Sequence, residues 1–211
     1  MASYSHFGMG CGDGCMTCNA IHDVCVRCKI HYNGNTATGG IFIENVGVFF
    51  VRAGAGNYGR WSGFSVFGGP TGTFTTFGSL AASGVTLQLT LKRTGADCTQ
   101  CAGDFCADDF AGALDSLWLE ATSPHIYSVS GGRLQGSNGG RPIWREFACL
   151  SESATYTLKF CANGTELFST TITAALSSVA DPIIRVGITG SGANGVAPYC
   201  EFDDFYADID Q

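Results

Sequence analysis

Apolar and polar residues alternate along much of this chain at the period of a strand. The clearest run is 86–92, where Leu87, Leu89 and Leu91 fall on one side and Thr86, Gln88, Thr90 and Lys92 on the other, which predicts one half-exposed wall of a sandwich. Ile41 and Ile43, then Val46, Val48 and Phe50, alternate with a phase shift at Glu44-Asn45, the pattern of a hairpin with a turn or bulge. Residues 61–67 and 73–77 are rich in aromatic and β-branched side chains and are separated by Gly68-Gly69-Pro70, a strong break. Further strands are predicted at 126–129, 132–135 and 156–160. Asn163-Gly164 then signals a hairpin turn into 166–172, and 183–188 and 200–209 supply the last strands. Only 111–119 has any helical character, enough for a turn or two.

Residues 1–31 stand apart. Cys11, Cys15, Cys18, Cys25 and Cys28 lie there among glycines and short polar residues, and the segment reads as a cysteine-rich N-terminal arm or cap. Residues 32–211 read as one antiparallel β-sandwich, with two smaller sandwiches divided near 98–106 as the alternative.

Composition agrees with an all-β chain. Of 211 residues, 45% are hydrophobic and 14% charged, with 30 glycines and 15 phenylalanines, which suits many short strands joined by tight turns. A net charge of -7 and 11 Lys and Arg in total give no clustered cationic surface for a polyanion, so nucleic acid is not an expected partner. No apolar stretch approaches the roughly 20 residues of a membrane-spanning helix, and no membrane insertion is expected. Residues 1–14 lack the charged-then-apolar pattern of a secretory signal.

Eleven cysteines is a high and odd number, so disulfides within one chain cannot use every thiol. Cys15-x2-Cys18 and Cys25-x2-Cys28 form two knuckles that together offer four thiolates to one tetrahedral zinc. Disulfides and contacts to a neighbouring subunit are the alternatives for the same residues. His22 and His31 are near enough in sequence to replace a thiolate. Cys98, Cys101 and Cys106 read as disulfide partners; Cys149, Cys161 and Cys200, in or beside strands, read as buried thiols or cross-strand disulfides. No organic cofactor is expected: the Gly-rich stretch 187–195 reads as a connecting loop rather than a phosphate cradle.

The order Asp108-Asp109-Phe110 … Leu117-Trp118, then 129–134 (Val-Ser-Gly-Gly-Arg-Leu), then Thr157-Leu158-Lys159 … Asn163-Gly164-Thr165, and finally Val186-Gly187-Ile188 … Phe202-Asp203-Asp204-Phe205 resembles the concanavalin A-like lectin and glucanase superfamily, which includes laminin G-like jelly-roll modules. The resemblance spans 106–209 and implies a jelly-roll sandwich whose opening and closing strands lie side by side. It departs from the pattern in having too few strands between those two segments, while strand-like material sits before them in 40–95. The resemblance implies that the two Asp-Asp-Phe segments come together. Asp108, Asp109, Asp203 and Asp204 would then offer oxygen ligands to calcium, with Asp109 and Asp204 as the candidate pair.

Glycosidases place two carboxylates across the sugar bond, and Glu-x-Asp-x-Glu is absent here; Glu201 and Asp203 are the nearest approach. A lectin site needs an aromatic platform beside polar groups, for which Tyr58, Trp61 and Trp144 are the candidates. Cysteine richness without an export signal suits a protein folded in a cell and working outside it. The expected function is therefore a non-enzymatic structural or adhesive component of a virion or cell surface that contacts copies of itself or other particle proteins. A glycan-binding module is the alternative, and a glycoside hydrolase a third.

Overall fold

The computed structural model describes residues 23–31, 37–52, 58–63, 72–76, 84–94, 98, 106–120, 127–136, 142–148, 151–178, 180–192 and 200–210. Among them every regular element is a strand: β1 Asp23–His31, β2 Ala37–Ile43, β3 Gly47–Arg52, β4 Tyr58–Gly63, β5 Gly72–Thr76, β6 Val85–Lys92, β7 Cys106–Asp108, β8 Leu119–Glu120, β9 Tyr127–Ser130, β10 Arg133–Gly136, β11 Pro142–Ala148, β12 Ala154–Ala162, β13 Thr165–Ala174, β14 Ile183–Gly192 and β15 Cys200–Asp210. They form two antiparallel sheets. The eight-stranded sheet runs β13-β12-β6-β1-β15-β10-β9, with β7 also paired to β15; the seven-stranded sheet runs β5-β4-β3-β2-β14-β11-β8.

Alternation puts one face of each sheet into a shared core. Val24, Val26, Cys28 and Ile30 of β1, Leu87, Leu89 and Leu91 of β6, and Tyr156, Leu158 and Phe160 of β12 come from the first sheet. Ile41 and Ile43 of β2, Phe49 of β3, and Ile184, Val186 and Ile188 of β14 come from the second, and all belong to one buried cluster. The rings of Phe49 and Phe160 meet across the layers with centroids 5.0 Å apart. The chain is thus an all-β antiparallel sandwich.

Two expected boundaries change. Residues 23–31, read above as the end of the arm, are a central strand paired with β6 on one side and β15 on the other, because four core-facing apolar residues alternate there. The remainder of the expected arm, 1–22, lies outside the described residues. Division into two small sandwiches near 98–106 is also not what is found: each sheet interleaves strands from before and after that stretch, so both halves build one core.

The predicted turns form where expected. Asn45, φ 63°, turns β2 into β3, and Asn163 (φ 48°) with Gly164 (φ 77°) turns β12 into β13, positive angles that Asn and Gly tolerate. Asn163 is also stitched to the neighbouring strand, its N–H donating to the Thr86 carbonyl at 2.8 Å and its Oδ1 accepting from the Thr86 N–H at 2.9 Å. Residues 111–119 contain no helix, only a turn closed by the Trp118 N–H on the Asp115 carbonyl at 3.0 Å. One disulfide joins Cys98 to Cys161 of β12, Cα atoms 5.7 Å apart. Cys98 is thus the disulfide partner it was expected to be, while Cys161 is neither a buried free thiol nor part of a cross-strand disulfide, because Cys98 lies outside any strand.

In the seven-stranded sheet β14 approaches its neighbours closely at Gly187, which pairs with Trp144 on one side and Phe42 on the other. A Cβ there would lie 2.1 Å from the Ile143 carbonyl oxygen and 2.7 Å from the Trp144 Cα. These are backbone atoms that cannot swing aside. Gly187→Ala is expected to destabilise the fold by about 1–3 kcal/mol, the range for overpacking a tight site. Urea titration should show a lower midpoint with an unchanged slope; an unchanged midpoint would mean that β14 shifts freely.

Candidate functional site

Polar chemistry gathers where β7 meets β15. The ladder pairs Asp108 with Phe205 and Ala107 with Tyr206, so the two Asp-Asp-Phe segments do lie side by side. Asp108 organises the junction. Its Oδ1 accepts the Phe110 N–H at 2.8 Å, and its Oδ2 accepts the Trp118 indole N–H at 2.7 Å. Phe110, at φ 52°, and Phe205 are both buried. The Trp118 ring packs edge-on against Phe205 at 4.7 Å and tilted against Phe110 at 5.8 Å.

From the opposite sheet, β11 sends Arg145 into this cluster. Ile143, Arg145 and Phe147 are buried while Trp144 and Glu146 are half-buried, so Arg145 occupies an inward position of the strand at only 3% exposure. Its Nη2 donates to Asp115 Oδ2 at 3.1 Å and lies 3.8 Å from Asp108 Oδ2, and its guanidinium sits 5.1 Å from the centre of the Trp118 ring. The Nε and Nη1 atoms have no hydrogen-bond partner among the described residues. Two carboxylates and an indole face thus hold one buried cation between the sheets, an arrangement that fixes their spacing and leaves neither carboxylate free. The sequence reading missed Arg145. Its signal was the pair of apolar residues, Ile143 and Phe147, that flank it at strand spacing.

A second network lies on the outer face of the seven-stranded sheet. Trp144 Nε1 donates to Glu146 Oε1 at 3.1 Å, Arg185 Nε donates to the same oxygen at 2.6 Å, and Arg185 Nη1 reaches Glu44 Oε2 at 2.7 Å and Asp181 Oδ2 at 3.4 Å. Partial burial works against the Arg185 charge, but bonds to Glu146 and Glu44 outweigh it and hold the guanidinium above its usual range.

For glycan binding, Trp144 is half-buried on this outer face. Trp61 stands opposite Phe49, whose side chain is in the core, and Tyr58 stands opposite Arg52. Trp144 and Tyr58 are separated by four strand spacings and four residues of register, about 19 Å across the sheet and about 13 Å along it.

For calcium, Asp109 and Asp204 are exposed. Asp109 Oδ1 accepts the Ala111 N–H at 3.0 Å. Asp203 Oδ1 accepts the Asp204 N–H at 2.9 Å, and its Oδ2 lies 3.6 Å from His31 Nε2. No group of three or more potential metal ligands occurs among the described residues. Glu201, the other half of the carboxylate pair considered for hydrolysis, binds Arg133 at 2.6 Å and Gln135 at 3.2 Å.

For zinc, Cys15 and Cys18 lie outside the described residues. Cys25 and Cys28 are three apart on a strand and so point to opposite faces. Cys25 is disulfide-bonded, with Sγ 3.7 Å from Thr90 Oγ1, while Cys28 is a buried free thiol in the core. Burial pushes the Cys28 thiol well above its ordinary value, and the bond it donates to the Asp203 carbonyl at 3.4 Å offsets little of that. The thiol is therefore protonated and inert at neutral pH.

Fold and site together define an antiparallel β-sandwich stapled at one end by a buried arginine held between aspartates and a tryptophan. No protein-family model, curated protein or solved structure matches the chain.

Asp115 gives the staple a pH signature. The Leu117 N–H, which its Oδ1 accepts at 2.9 Å, and then the Arg145 cation hold its carboxyl below the usual carboxylate value. A carboxyl lowered in the folded state adds stability that is fully present above its unfolded value, about pH 3.9, and is lost as pH falls through the lower folded value. Asp115→Asn is expected to remove that part of the acid dependence. Urea midpoints measured from neutral pH downward should fall less steeply for the variant; parallel curves would show that Asp115 contributes nothing to linkage.

Proposed function

We propose that this chain is a non-enzymatic structural or adhesive module of an extracellular surface or particle, acting through contacts with copies of itself or with other surface proteins. The observation that carries this reading is the placement of the first and last strands among the described residues. β1 and β15 are antiparallel neighbours, with Asp23 opposite Asp210, so the start of β1 and the end of β15 lie together at one end of the sheet. That placement leaves the opposite end and the outer face of the seven-stranded sheet for contacts with other molecules. Disulfides at Cys25 and between Cys98 and Cys161 support an oxidising setting. The ionisable groups of the Arg145 and Arg185 networks are committed to holding strands together, which suits a load-bearing part better than a reactive one.

A glycan-binding module is the second reading, favoured by the half-buried Trp144 beside Glu146 and Arg185 on an outer face. The close approach of the two Asp-Asp-Phe segments supports a concanavalin A-like arrangement in either case. That likeness bears on fold type and not on ligand.

Native mass measured on the full chain over a concentration series, with and without reductant and chelator, tests the assembly reading. The expected result is multimers whose share rises with concentration. A monomer at every concentration that instead binds sugars on a glycan array would replace this reading with the second.

A further inference from the structure

We infer that residues 1–22 fold back over the outer face of the eight-stranded sheet and are fastened there by a disulfide from Cys25 to Cys11, Cys15 or Cys18 of the same chain. This stands independently of the assembly reading above.

The face in question is covered. Cys25 of β1, Gln88 and Thr90 of β6, and Cys161 of β12 alternate with core residues and point away from the opposite sheet, yet none is more than 6% exposed. They form one patch, with Cys161 opposite Gln88 and Cys25 opposite Thr90. Neighbours within a sheet flank an outward side chain without lying over it, so burial to this degree needs chain on top. Among the described residues, the one bonded onto this patch from outside the sheets is Cys98, through Cys161.

Cys25 is itself disulfide-bonded, and geometry narrows its partner. Bonded cysteines have Cα atoms no more than about 7 Å apart. Cys98 and Cys161 are bonded to each other, and Cys28 is a free thiol. Cys200 is at the far end of β15 from Asp208, the residue opposite Cys25, about 26 Å along the strand. Cys106 belongs to β7, which pairs with β15 on the edge away from β1, two strand spacings or about 10 Å from β1. Cys149 directly follows Ala148, the last residue of β11 in the opposite sheet, and Cys25 faces away from that sheet. Cys11, Cys15, Cys18 and Cys101 remain.

The arm reaches Cys25 more readily than Cys101 does. Cys25 is two strand spacings and two residues of register from Cys161, about 12 Å. Three residues span at most about 10 Å, so Cys101 arrives from Cys98 only along a nearly straight path across β6. Cys11, Cys15 and Cys18 lie upstream on the segment that joins β1 at Asp23, two residues before Cys25, and one reversal brings any of them over the face. The cysteine count agrees. Setting Cys28 aside leaves ten of the eleven, an even number, so closing Cys25 within the chain strands no thiol. With this face filled by its own chain, the module meets other molecules on the seven-stranded sheet instead.

The experiment maps the bond in the full-length protein. Free thiols are alkylated, single chains are isolated under denaturing, non-reducing conditions, and the chain is cleaved before aspartate and after arginine. That isolates Cys25 in residues 23–27, Cys11 in 1–12, and Cys15 with Cys18 in 13–22. Mass spectrometry is expected to find 23–27 joined to 1–12 or to 13–22, and to lose that species completely on reduction. Because Cys25 faces outward, such a bond puts the arm on this face. Residues 23–27 joined to the peptide that carries Cys101, or to any other from beyond residue 27, overturn the inference. So does an alkylated Cys25, or a Cys25 bond found only in linked dimers.

Discussion

The sandwich depends on one extra residue in its last strand. Between Arg27 opposite Tyr206 and Lys29 opposite Asp203, Cys28 faces two residues, Asp204 and Phe205. In a regular strand Phe202 and Phe205, three apart, would point to opposite faces. The bulge shifts the phase, so both are buried in the core, followed in step by Ala207 and Ile209. Asp204 takes the positive φ of 48° that the bulge requires. The Cys28 thiol fills the space opposite and donates to the Asp203 carbonyl. A small, weakly polar, deeply buried side chain suits that place, since a larger one would push β1 from β15 at the centre of the sheet.

The arginine staple follows from this phase change. Phe205 reaches the Trp118 ring only because it faces inward, and Trp118 in turn is held by Asp108, whose strand β7 pairs with β15 just past the bulge. Arg145 then closes the end of the sandwich from the other sheet. A buried ion pair is no guarantee of net stability, because desolvating the charges costs several kcal/mol. Its value here is positional: a cation that must reach Asp115 and lie near Asp108 allows one relative placement of β11 and β7. Replacing the cluster with leucines would retain burial and lose that discrimination.

Strands on one clean face of the sheets were legible in the sequence. Residues 86–92 and the hairpin through Asn163-Gly164 form as predicted, because apolar alternation and positive-φ turn residues are local signals. Two strands were hidden by chemistry that breaks or masks alternation. In β11 the inward position between Ile143 and Phe147 is an arginine, so the run reads as polar. In β1 Cys28 is an apolar core residue in practice, yet beside Cys25 it resembles half of a metal knuckle. Convergence of the Asp-Asp-Phe segments came from a resemblance in residue order. What those aspartates bind, a backbone turn, an indole and an arginine, depends on partners distant in the chain that no local pattern names.

Alternation also misleads about which face of the eight-stranded sheet meets water. Thr90 and Gln88 alternate with the core leucines of β6 and would be expected at the surface, yet both are buried, as are Cys25 and Cys161 on the same outer side. Gln88 Nε2 donates to Thr90 Oγ1 at 3.1 Å, and the Cys25 sulfur lies against the same hydroxyl. A polar layer closed on itself can be buried at little cost, because each group keeps a partner. The middle of this sheet is therefore buried on both faces.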